Sequence, residues 1–345
     1  MRMALYAPGS GYYARARSPV GNAGDFVTAP SLSPVFSFAL SRLVREFLER
    51  GNDGVSQIVD VGCGDGSLIY SLWASMEGHR EGVEFAGVDQ SLERLTVPGG
   101  SPGPRFLESV DALPASRRLT LANELFDALP FGRLVMRTGG LQELYVREQA
   151  GAIEWTEHPA GPRYESYLAE RSIALEAGQF ADISLDWSEQ YDCLAAGTSA
   201  GLIVTFDYGM RGDKLFRSRM RRYGTAAAYR GHRVSRDLLL NPGEQDLTAH
   251  VNFSDLEAAG ARNGFETLFF DSQAKFLLAL GVTEHELFMP VEETSRSPEK
   301  AMELLDARDR ARQLVLPDGI GEDIRVLVQG KGVDKGGWSF QRRLF

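Results

Sequence analysis

The stretch Ile58-Val59-Asp60-Val61-Gly62-Cys63-Gly64-Asp65-Gly66-Ser67-Leu68 decides how this chain folds. A β-branched run carries an acid, crosses three alternating glycines and enters an apolar pattern of helical period. That order predicts a strand, a tight turn and a helix N-terminus, the first crossover of an open α/β sheet. Glycine in the turn lets the backbone bend sharply and approach a ligand that a Cβ would push away. The next apolar strand, Val83 to Val88, leads into Asp89, placed to accept hydrogen bonds from a ribose diol. Together Asp60, Gly62, Gly64, Gly66 and Asp89 predict a site for a nucleoside-containing cofactor.

Glycine spacing separates two such cofactors. The dinucleotide fingerprint is G-x-G-x-x-G, but here the third glycine comes one place early and position 67 is Ser. The pattern D-V-G-C-G-D-G resembles motif I of class I S-adenosylmethionine (SAM)-dependent methyltransferases. In that family the glycine loop lies against the methionine and ribose portions, and the acid after the second strand holds the ribose hydroxyls. An NAD-linked dehydrogenase is the competing reading, disfavoured by Ser67.

Among the 345 residues, 43% are hydrophobic and 24% charged, as in a soluble globular protein with an ample core. The two cysteines, Cys63 and Cys193, cannot build a disulfide framework and offer no metal cluster, which fits a reducing cytoplasm. No apolar run is long enough to span a bilayer, and no signal segment opens the chain. A formal net charge of −10 argues against broad nucleic-acid binding, although Arg217 to Arg222 forms a local basic patch.

Strands are expected at 57–61, 83–89, near 104–108, and at 118–122, 202–206, 267–270 and 324–328. Alternation with helices predicts a mainly parallel, Rossmann-like seven-stranded sheet covered on both faces. Residues 1–50 read as a cap segment and helix, with Ser33 as N-cap, Pro34 in the first turn and Gly51 as the stop. The core then spans 51–130 and 199–345. Residues 131–198 form an inserted module opening with a hairpin around Gly139-Gly140, and 209–252 form a second, Arg- and Tyr-rich insertion. Both leave from carboxyl ends of strands, where long insertions shape a substrate cleft.

After the fourth strand comes Asn123-Glu124-Leu125-Phe126-Asp127-Ala128-Leu129-Pro130. Its carboxylates, Glu124 and Asp127, suit a cationic nucleophile, because a guanidinium presents a fork of N–H donors that a carboxylate accepts bidentately. A carboxylate that localises charge on two guanidinium nitrogens leaves the third able to take a methyl group. Either acid could instead serve structure, Glu124 as an N-cap or ion-pair partner.

Here the chain is similar to the MidA-like family, which includes a mitochondrial complex I assembly-factor arginine methyltransferase. The motifs that carry the resemblance are Gly24-Asp25-Phe26-Val27-Thr28-Ala29-Pro30, the glycine loop, Asn123 to Pro130, Phe206-Asp207-Tyr208-Gly209, Ala228-Tyr229-Arg230-Gly231-His232-Arg233 and Asn241 to Phe253. The resemblance implies SAM as cofactor, S-adenosylhomocysteine as product, and symmetric dimethylation of an arginine on a partner protein such as a respiratory complex I subunit. It also points to Asp25, Thr28 and Asn123 at the cofactor and to Asp111 at the adenine amine, with an Asp-turn as the alternative for Asp25 and a turn cap as the alternative for Asp111. Tyr208, Tyr229 and Arg230 are then expected at the substrate, with ion-pair scaffolding as the alternative for Arg230. His250 is expected to orient substrate or accept a proton, with a structural histidine as the alternative. Two other functions stay open: methylation of a small amine or hydroxyl compound, and a SAM-binding assembly factor whose contact with a partner matters more than methyl transfer.

Overall fold

A computed structural model describes residues 1–14, 28–51, 55–97, 102–217, 219–290, 298–317 and 319–342. The expected contribution of Asp25, with Gly24 to Val27 around it, lies outside the described residues. The central sheet consists of β1 (Ser56–Val61), β2 (Val83–Val88), β3 (Arg105–Leu107), β4 (Ser116–Asn123), β5 (Thr198–Met210), β6 (Glu266–Ser272) and β7 (Ile324–Lys331). Their spatial order is β3-β2-β1-β4-β5-β7-β6. All neighbours pair in parallel except β7, which runs antiparallel to both β5 and β6. The mainly parallel sheet read from the sequence is therefore what the chain forms.

Period-two alternation explains how one sheet builds two cores. Ile58, Leu119, Leu121, Leu202, Val204 and Phe206 point to one face, where they pack with Phe36, Phe47 and Phe276. Val59, Val61, Ala122, Ile203 and Leu327 point to the other, against Phe126, Trp187, Tyr191 and Phe253. Helix α1 (Pro34–Glu49) covers the first face. The Ser33 hydroxyl accepts from the Val35 N–H and Pro34 occupies the first turn, so this helix starts where capping chemistry places it. Helix α2 (Ser67–Ser75) follows the glycine turn.

The insertion after β4 forms a four-stranded antiparallel sheet in the order 152–159, 140–149, 132–137, 180–183. Its hairpin pairs Arg137 with Gly140 across a two-residue turn, as the paired glycines suggest. Helix α3 (Trp187–Ala195) closes the segment but belongs to the core: Trp187 and Tyr191 are buried against Phe126, and the indole N–H donates to the Phe126 carbonyl at 3.1 Å. The second insertion carries an antiparallel sheet of strands 233–235, 227–230 and 246–248. Onto it folds the N-terminal segment, with Leu5 and Tyr12 buried among Ala226, Ala228, Leu238 and Leu247. Strand β5 runs well past the expected 202–206. Its extension pairs with Val251-Asn252, and a Cβ at Gly209 would strike the Val251 carbonyl, so glycine permits that approach.

Candidate active site

At the carboxyl ends of the parallel strands lies a cavity of about 1250 Å³. The glycine turn forms its floor. Gly62, Gly64 and Gly66 have φ of 76°, 56° and 79°, a region costly for residues with a Cβ. The Gly62 and Cys63 N–H groups donate to the Val88 carbonyl at 2.8 and 3.1 Å, tying the turn to β2. Nothing lies within 4 Å of where a Cβ at Gly64 would stand, and this residue lines the cavity. Asp89 is fixed beside it: one carboxylate oxygen accepts the Gly64 N–H at 3.0 Å, the other the Ser91 N–H at 3.0 Å and an Arg94 N–H at 2.6 Å. Asp60 is buried at the end of β1, and burial first, then the charges of Asp89 and Asp65, push its carboxyl up to about 7. Asp111 lines the same cavity from an exposed turn whose N–H is capped by the Ser109 hydroxyl.

A second wall comes from the end of β4. The Asn123 amide donates to Glu124 at 3.3 Å, while its own Oδ1 is buried without a partner, an acceptor kept ready for a ligand donor. Glu124 has φ 50°, a strained backbone for a residue with a side chain. Its N–H donates to the Phe206 carbonyl at 2.8 Å, which holds that conformation. The Thr28 hydroxyl and Ser31 cap the short helix Ala29–Leu32, and the Ala29 N–H lies on the Glu124 carboxylate. Burial and the neighbouring Asp127 nevertheless push Glu124 up to about 8. Asp127 is raised well above the usual carboxylate range by burial and by Asp207 and Asp246. Asp207, beneath them on β5, accepts the Phe126 and Tyr208 N–H groups at 2.8 Å each, and burial carries it to about 8.

The third wall is the small sheet of the second insertion. Tyr229 stands opposite Asp246 on one side and Val234 on the other, so cross-strand register brings all three to one face, and all three line the cavity. Tyr208 joins them from β5, and Tyr6 and Tyr13 from the N-terminal segment. Among the described residues, eleven carboxylates and two arginines line this cavity, so its interior favours cations.

Three expected site residues do not line the cavity: Gly66, where a Cβ would strike Phe106, and Arg230 and His250. Arg230 follows Tyr229 on its strand and therefore takes the opposite face, where it pairs with Glu244 at 2.8 Å on the protein surface. His250 does not line the cavity. Its backbone N–H donates to the Thr225 hydroxyl at 3.1 Å, and burial, Arg221 and Arg236 lower its imidazole to about 4. A neutral ring with so low a pKa is a weak proton acceptor at neutral pH, which favours the structural reading. Conversely, Asp207, Asp246, Tyr13 and Arg94 escaped notice. Asp207 and Asp246 stand within quoted motifs, yet nothing local marks Asp246 as facing the cavity or Asp207 as buried beneath its wall.

This sheet order, with a reversed final strand and a glycine turn against an acid-ended β2, defines a class I methyltransferase, and its cofactor is SAM. The chain belongs to the MidA-like family of S-adenosyl-L-methionine-dependent methyltransferases, whose model matches residues 40–270. A crystal structure of a Burkholderia thailandensis protein bound to S-adenosyl-homocysteine superposes with a TM-score of 0.84 at 30% identity, over 99% of this chain and 89% of that one. The Drosophila melanogaster protein named protein arginine methyltransferase NDUFAF7 homolog, mitochondrial, is 28% identical over 73% of this chain and 63% of its own length. The human protein named protein arginine methyltransferase NDUFAF7, mitochondrial, is 24% identical over 93% of this chain and 77% of its own.

Proposed function

We propose that this methyltransferase acts on an arginine side chain of a partner protein. By family resemblance, symmetric dimethylarginine is the product and a respiratory complex I subunit the first candidate partner. The observation that carries the reading is the crowding of Glu124 and Asp127 at one wall of an acid-lined cavity, beside the glycine turn. Carboxylates that resist ionisation next to one another gain most from a cation placed between them. A guanidinium meets that need, and its planar fork matches a carboxylate in a way a point charge does not. SAM supplies a methyl group on a sulfonium, which leaves with the C–S bonding pair staying on sulfur.

The protein's share is placement and charge. Glu124 accepts from two guanidinium nitrogens, concentrating charge there and leaving the third nitrogen's lone pair to form the new N–C bond. The proton released from that nitrogen passes to a carboxylate of the acid-lined cavity other than the one holding the first two nitrogens. Tyr208, Tyr229 and Tyr6 wall the cavity and keep the nucleophile from bulk water. Names borne by relatives, protein arginine methyltransferase among them, support the same acceptor.

The test is incubation with methyl-labelled SAM and cell extract, followed by mass spectrometry of the labelled product. Label on arginine of a protein is the expected result. Label confined to a small amine or hydroxyl compound, or none at all with SAM bound, overturns the reading.

A further inference from the structure

We infer that Asp246 is a second carboxylate on the acceptor guanidinium, and that Tyr13 and Tyr6 are the positioning residues that set its distance from Glu124. This rests on the arginine reading above. Asp246 is 3% exposed, yet it lines the cavity, and strand register fixes it opposite Tyr229. It comes from the second insertion, whereas Glu124 and Asp127 come from the loop after β4, so these acids approach one space from separate supports.

The N-terminal segment joins those supports. The Tyr13 hydroxyl donates to an Asp246 oxygen at 2.8 Å, and the same oxygen accepts the Leu247 N–H at 2.9 Å. Tyr6 stacks on Tyr13 with ring centroids 5.6 Å apart and donates its hydroxyl to the Ala128 carbonyl at 2.8 Å, one residue past Asp127. A stacked pair of tyrosines therefore spans from one acidic wall to the other. Rings are stiff spacers, so the gap between the walls is set by their width rather than by loop mobility. Tyr13 also meets Arg94, whose guanidinium carbon is 5.7 Å from the ring centroid and whose N–H pairs with Asp89. The span is thus anchored on the residue that holds the expected ribose acid.

A planar cation with donors along each edge is the ligand that two carboxylates on facing walls would select. Glu124 takes the edge formed by two nitrogens and Asp246 accepts an N–H of the third, which fixes the plane of the guanidinium and so the direction in which the lone pair of that third nitrogen points. A lysine ammonium has no such edges, and a neutral amine offers no charge to either wall.

The site labelled in extract by the wild type is located by mass spectrometry, and a peptide spanning it is titrated against wild type, Asp246→Asn and Tyr13→Phe. For Asp246→Asn we expect KM for the peptide to rise by at least about tenfold, the scale of one charge-assisted hydrogen bond, with S-adenosylhomocysteine affinity within about twofold of wild type. For Tyr13→Phe, which removes a single hydroxyl, KM rises by about threefold to tenfold while kcat stays within about twofold, the pattern of lost ground-state positioning. A merely structural tyrosine would lower active fraction, hence kcat, and leave KM alone. Wild-type label on arginine with an unchanged peptide KM in Tyr13→Phe and in any folded Asp246→Asn overturns this inference and spares the arginine reading. Wild-type label on any other acceptor overturns both. Should Asp246→Asn fail to bind S-adenosylhomocysteine, the Tyr13→Phe result decides alone.

Discussion

Replacing Glu124 by Gln should make the protein inactive and, at alkaline pH, more stable. The carboxyl sits at about 8 against an ordinary 4.5, driven there by burial and then by Asp127. The folded chain therefore retains a proton between those values that the unfolded chain gives up. Wild-type stability accordingly falls as pH rises from 4.5 to 8. At about 1.4 kcal/mol for each tenfold change, the full cost near pH 8 is on the order of 4 kcal/mol. Gln carries no charge, which removes that cost, but it accepts the Ala29 N–H less strongly and brings a buried amide, returning about half of it, so a gain of about 2 kcal/mol remains. With about 2 cal/mol/K of unfolding entropy per residue over 345 residues, the melting temperature should rise by about 3 °C at pH 8. Near pH 5 the proton cost in the wild type is down to about 1 kcal/mol, less than the penalty of the buried amide, so the gap should close and reverse sign. Scanning calorimetry of both proteins at pH 5, 6.5 and 8 reads this directly. Calorimetric titration with S-adenosylhomocysteine should give matching affinities, while transfer of labelled methyl is lost. A Gln variant that melts below wild type at pH 8, shows no change of gap with pH, or retains full transfer refutes the reasoning.

Three further outcomes follow from the same geometry. Gly64→Val places a branched side chain at φ 56° and into the open space of the cavity, so S-adenosylhomocysteine affinity should fall by at least about thirtyfold, read by calorimetry. Asp89→Ala leaves Arg94, 8% exposed, without its carboxylate; the variant should lose stability on the order of 3 kcal/mol in chemical denaturation and bind S-adenosylhomocysteine weakly. Arg118→Met tests the opposite end of the sheet. There the fully buried guanidinium donates to Gln57 at 2.9 Å, the Ala196 carbonyl at 2.9 Å and the Pro114 carbonyl at 3.0 Å. Orphaning these acceptors should cost about 3 kcal/mol in chemical denaturation and leave cofactor affinity within about twofold.

The glycine turn could be read from sequence because its requirements are local: left-handed backbone needs glycine, and an acid after the next strand needs only two strands side by side. Sheet strands were legible for the same reason, since alternation such as Ile58 against Val59 is written into consecutive residues. The acidic loop after β4 was legible in composition but not in state. What raises Glu124 is its neighbour Asp127 and burial under a helix whose start is Thr28, a separation of 96 positions that no local pattern encodes. Arg230 shows a misreading that period-two logic could have prevented: if Tyr229 faces the cavity, the next residue on a strand faces away. His250 fails for another reason. It sits past the end of the strand 246–248, where alternation no longer holds, so the facing of Asp246 and Thr248 does not carry over to it. Asp246 needed three long-range facts at once, a strand register, a tyrosine 233 positions away and a stacked partner on the opposing wall. Motifs with local geometry thus locate where the methyl group is held, while the acceptor side is assembled from distant segments and emerges only when the chain is folded.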